Sequence, residues 1–197
     1  MTVAPINVVS PVTAVLAAIV PVVVGFTTGE RPGVLSWLGI VLGLVAVMLV
    51  SRTTVTEIHA RVGATTLTLA LLSGLGFGLY FVCLGRAGAA AGLWPLTISR
   101  LTSAVLVVPV AWQARAVARV GGRTLLVVLA AGCFDAFANM FFLLATHHGL
   151  LSVASVLTSL YPATTVLLAV TVLHERLNAV QRGGLVLAAG AIVLITV

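Results

Sequence analysis

The chain has 197 residues, 61% of them hydrophobic and only 7% charged, against about a quarter charged in a soluble globular domain. That composition excludes a soluble enzyme or binding domain and leaves a polytopic membrane protein. The net charge of +6 comes wholly from arginines set singly between apolar runs, where they anchor helix ends at lipid headgroups, so the bilayer and not nucleic acid is the expected partner.

Charge-free windows of about 20 residues are long enough to cross the hydrocarbon core as helices. Gly, Ala and Leu fill them without the in–out alternation of barrel strands. The expected fold is therefore all-α, a transmembrane bundle of about seven spans. The first span is Ile6–Thr28, followed by Glu30-Arg31. It lacks a basic n-region and is long enough to span, so no cleaved leader is expected. The second is Val34–Ser51, in which Gly39 and Gly43 form a GxxxG pair suited to close helix contact. The third, Thr65–Leu84, carries Gly74, Gly76 and Gly78 and ends near Tyr80 and Cys83.

The fourth span, Pro95–Gln113, holds Arg100 about one turn inside. From there its long side chain either snorkels to the headgroups, the favoured reading, or turns inward to a carboxylate or an anionic substrate. The fifth, Leu125–His147, has Asp135 near its centre and Asn139 one turn on, on the same face. A charge at that depth costs about 2.5–3.5 kcal/mol on insertion scales. Asp135 is therefore either a proton-accepting or substrate-orienting group facing a central cavity, or a structural hydrogen-bonding group. Phe134, Phe137, Phe141 and Phe142 are expected to surround the pair, and Cys83 and Cys133 to be packing residues. His147 and His148 are adjacent and project from different sides of the helix, so no metal is expected, and no cofactor motif is present.

The sixth span, Ser152–Leu173, is interrupted by Pro162, which removes one backbone hydrogen bond and frees a carbonyl. Ser155, Thr158 or Ser159, Pro162 and Thr165 fall at helical spacing as a polar stripe toward a cavity or another helix. Tyr161 beside it and Tyr80 are placed to bracket a flat substrate, although packing is the commoner role for such residues. The seventh span is Ala179–Val197.

Residues Leu150 to Val197 repeat the pattern of Pro5 to Arg52 at one constant offset: Val8, Ser10, Thr13, Ala18, Glu30, Arg31, Gly39, Ala46 and Leu49 recur as Val153, Ser155, Thr158, Ala163, Glu175, Arg176, Gly184, Ala191 and Leu194. Such duplication in apolar sequence marks inverted-repeat carriers. Glu30-Arg31 and Glu175-Arg176 are read as structural, the glutamate near the N-terminus of the following helix and the arginine at the interface. Gly39 and Gly184 are read as matching contact positions.

The run from Gly149 to Ala169, with His174-Glu175-Arg176-Leu177 and Gln181-Arg182-Gly183-Gly184, resembles the end of an EamA-type repeat of the drug/metabolite transporter superfamily. Gly29-Glu30-Arg31-Pro32 with Gly39-Ile40 resembles the end of the first repeat. The resemblance implies a five-plus-five inverted-repeat carrier of small metabolites or drugs in a bacterial inner membrane, using alternating access. Residues 1–52 then correspond to the last two helices of the first repeat and residues 62–197 to a complete second repeat, with the first three helices absent. The alternatives are a membrane-embedded interaction subunit completed by a second polypeptide, or an inactive shortened carrier; an enzyme is not expected. Arginine bias places the N-terminal side in the cytoplasm, whereas the resemblance implies the reverse.

Overall fold

The computed structural model describes residues 6–51, 64–113, 121–174 and 177–197. All regular structure among them is helical: α1 (Ile6–Thr27), α2 (Val34–Val50), α3 (Ala64–Gly85), a 3-10 turn (Ala89–Ala91), α4 (Trp94–Gln113), α5 (Gly122–His148), α6 (Leu151–Ser159), α7 (Tyr161–Leu173) and α8 (Ala179–Thr196). Five segments among the described residues are long and apolar enough to cross a membrane: α3, α4, α5, α6 with α7 taken together, and α8. The described apolar parts of α1 and α2 are shorter.

The chain divides into two compact units, Met1–Cys83 with Gly149–Val197, and Leu84–His148. In the first unit the most extensive helix pair is α2 with α8, followed by α1 with α6. The glycines explain why α2 and α8 approach so closely. A methyl group built on Gly39 would sit 2.6 Å from Ile195 Cγ1 and 3.0 Å from the Ala191 carbonyl oxygen; one on Gly184 would sit 2.7 Å from Val50 Cγ2 and 2.9 Å from the Val50 nitrogen. The start of each helix therefore meets the end of the other, so the two are antiparallel and in backbone contact. Around them Ala14, Ala46, Val47, Leu160 and Ala188 form one buried cluster, and Ala18, Ile40, Val156 and Ile195 a second. Helix α3 runs parallel to α1, with Gly74 against Leu16 and Gly78 against Val20, and Thr13 Oγ1 donates to the Ala70 carbonyl at 3.4 Å.

The sixth predicted span is two helices. Helix α6 ends at Ser159, Leu160 leaves helical geometry, and α7 begins at Tyr161 with Pro162 in its first turn. Proline is well tolerated there because its missing N–H would have had no partner in a new helix. The break thus falls just before Pro162, and the Ala163 N–H turns to the Leu160 carbonyl at 2.8 Å.

The second unit is more open. In α4 only Leu96 is buried, and most of α5 is exposed. His147 Nε2 lies 3.2 Å from the Ala87 carbonyl oxygen and ties the end of α5 to the loop that follows α3.

Candidate functional site

In the second unit, α4 and α5 bring together two ionisable groups, Arg100 and Asp135. Arg100 Nη1 lies 2.6 Å from Asp135 Oδ2. Asn139, one turn along α5, donates from Nδ2 to the Asp135 backbone carbonyl at 2.8 Å and to Oδ1 at 3.3 Å. Both carboxylate oxygens are thus engaged, one by a guanidinium and one by an amide, a charge-assisted arrangement that fixes the carboxylate's orientation. Of the two directions open to Arg100 from sequence, the structure has the side chain turned to the Asp135 carboxylate.

The ion pair is not packed over. The side chains retain 42% (Arg100) and 56% (Asp135) of their accessible surface, so a third group has room to approach. Residues one turn either side of Arg100, Thr97 and Ser103, lie on the same face of α4, and their hydroxyls donate to the Leu93 and Ser99 carbonyls. Phe134, Phe137 and Phe141, on α5 with Asp135, are exposed and Phe142 is buried. Cys83 and Cys133 are free and exposed, so they are not the packing residues expected.

In the first unit, the polar stripe around the α6–α7 break is present but internally satisfied. Ser155 Oγ donates to the Leu151 carbonyl at 2.6 Å, Thr158 Oγ1 to Ala154 at 2.8 Å, Ser159 Oγ to Val156 at 2.7 Å and Thr165 Oγ1 to Tyr161 at 2.9 Å. Ser155 and Ser159 are buried, Thr158 is half-buried and Thr165 exposed. Pro162 is itself buried and, lacking an N–H, offers nothing to the Thr158 carbonyl. Tyr161 is about half exposed at 47%. Tyr80, half-buried on α3, packs at a tilt on Phe81 with ring centroids 5.8 Å apart.

Glu30 has a partner that sequence reasoning did not foresee. The N–H of Glu30 reaches back to the Gly25 carbonyl and that of Gly29 to Phe26, with Gly29 at φ 97°; this is a Schellman turn, for which glycine supplies the left-handed residue. The turn aims the Glu30 carboxylate away from α2 and onto α6. Oε1 accepts from the Leu151 N–H at 2.7 Å and Oε2 from the Ser152 N–H at 3.0 Å. Glu30 therefore caps the sixth helix, not the following one, and so satisfies two of the four free N–H groups at that helix start. Beside it, Arg31 lies over the Phe26 ring at 5.1 Å, and Phe26 meets Trp37 edge-on at 5.9 Å. Glu175 and Arg176 lie outside the described residues. His174, the counterpart of Gly29, also takes a left-handed conformation, φ 55°.

Residues 64–197 match the model of a family described as EamA-like transporters. No curated protein and no solved structure matches the chain.

Proposed function

The chain belongs to the EamA-like transporter family, and we propose that it is a secondary transporter of small metabolites or drugs, multi-pass in a bacterial inner membrane, working by alternating access about a site near the bilayer midplane. The observation that carries this reading is the Arg100–Asp135 pair on two spanning helices, with about half its surface open. Charges at such depth face the bundle interior or a water-filled cavity. An open, oriented ion pair there is a recognition element: a charged substrate group, or a proton, competes with one partner for the other. Asn139 holds the carboxylate in place during that exchange.

The repeat supports a five-plus-five inverted fold with residues 62–197 as its second five-helix repeat. Gly39 meets Ile195 and Gly184 meets Val50, and the constant offset that relates the two copies converts one contact into the other with the helices exchanged. A two-fold axis lying in the membrane plane has that property. Thr158, Tyr161, Pro162 and Tyr80 are assigned to the substrate path, with the break at Leu160 as the point where the sixth span flexes.

The test is flux in proteoliposomes from a panel of labelled amino acids, sugars, nucleobases and cationic drugs, driven first by counterflow and then by a proton gradient. Asp135→Asn keeps the side chain's shape and one acceptor oxygen but cannot release a proton, so it should retain counterflow and lose gradient-driven accumulation. Full accumulation by this variant would reduce Asp135 to a structural residue.

A further inference from the structure

Helix α6 is nine residues long, is held at its start by a carboxylate from the first repeat and ends in a break. We infer that Glu30 is a positioning residue that pins α6 to the first repeat, so that flexing at Leu160 moves α7 while α6 stays fixed. The inference rests on the reading, made above, that the sixth span bends at this break.

Three observations converge on it. The two N–H···carboxylate bonds at 2.7 and 3.0 Å join elements 121 and 122 residues apart. The halves of the span differ in burial: Leu151, Ser152, Ala154, Ser155, Val156 and Ser159 are buried in α6, whereas Leu167, Leu168 and Val172 are exposed in α7. The site of the carboxylate is also kept open by a glycine. A methyl group on Gly25, which is buried, would fall on Glu30 Oε2. At the same offset in the second copy the residue is Val170. Gly43 makes room for Val156 of α6, which shares a buried cluster with Ala18 and Ile40, so the body of α6 is seated against α1 and α2. The polar pin adds a directional hold at the start of the helix, where two free N–H groups meet the carboxylate.

The test uses the full chain in lipid nanodiscs, with Cys83 and Cys133 replaced by alanine and spin labels attached at introduced cysteines. One pair, at Val45 and Gly149, reports α2 against the start of α6; the other, at Val45 and Val172, reports α2 against the end of α7. The first pair should give a single narrow distance distribution, the second a broad or bimodal one. Glu30→Gln weakens the pin at the carboxylate. Gly25→Ala displaces the carboxylate without altering it and stands in if Glu30→Gln fails to fold. Either variant should broaden the first distribution and shift it to longer distance. A first distribution that is broad in the parent protein, or unchanged in both variants, overturns the pin. A narrow second distribution in the parent, with the first still sensitive to Gly25→Ala, overturns the bending of the span and leaves the pin standing.

Discussion

Two serines one turn apart on α6 separate the cost of burying a hydroxyl from the value of bonding it. Ser152 Oγ is buried and makes no hydrogen bond among the described residues, while Ser155 Oγ, equally buried, donates to the Leu151 and Ser152 carbonyls. An unmade bond at a buried polar atom costs about 1–3 kcal/mol, and a made one contributes about 1 kcal/mol net. Ser152→Ala is therefore expected to be neutral or stabilising and Ser155→Ala destabilising by roughly 1 kcal/mol, as read from midpoints of SDS titration of the purified protein. Equal losses for both would show that Ser152 has a partner in the folded protein. His174 provides a second contrast. A non-glycine residue held at φ 55° is strained by about 1 kcal/mol or more, so His174→Gly should raise thermal stability in detergent, whereas His174→Ala should not. The repeat pattern carried that position, Gly29 in one copy and His174 in the other, but the left-handed geometry could not be read from histidine, which gives no such signal.

Among the helices, the pairing of α2 with α8 is the contact most sensitive to side-chain volume. Gly39→Ala and Gly184→Ala each drive a methyl group against backbone atoms of the opposite helix, and such overpacking costs about 1–3 kcal/mol. The two losses should match, because the contacts correspond under the repeat. Gly190→Ala is the control: its methyl would lie 3.5 Å from Leu42 Cδ2, an ordinary contact, and should be tolerated or stabilise α8 slightly. Differential scanning fluorimetry of the three variants decides the point, and comparable losses in all three would remove the close-contact explanation. The helices and these glycines were legible because charge-free windows and small-residue spacing are local properties. The partner of Glu30 was not: the groups it binds are the backbone N–H of Leu151 and Ser152, which no side chain advertises. Nor did the sequence decide where Arg100 points, since its side chain is long enough for the headgroups and for Asp135 alike.

At the scale of the whole molecule the two units differ in what holds them. Residues of the first share two buried clusters and backbone-close helix contacts, whereas α4 and α5 of the second expose most of their surface and meet through the Arg100–Asp135 bond. In lipid no hydrophobic force draws helices together, so association depends on close van der Waals packing and interhelical polar bonds. The first unit has the packing and the second has chiefly the polar bond. Trp37 belongs to the first unit, Trp94 and Trp112 to the second, and the chain has only these 3 tryptophans, so single-tryptophan variants report each unit separately. As the mole fraction of SDS rises, the emission of Trp94 and Trp112 should change before that of Trp37. Arg100→Ala should bring the earlier transition forward without moving the later one. Coincident transitions in the parent protein would mean that one cooperative unit unfolds and that the helix pair carrying the ion pair draws its stability from the packed bundle.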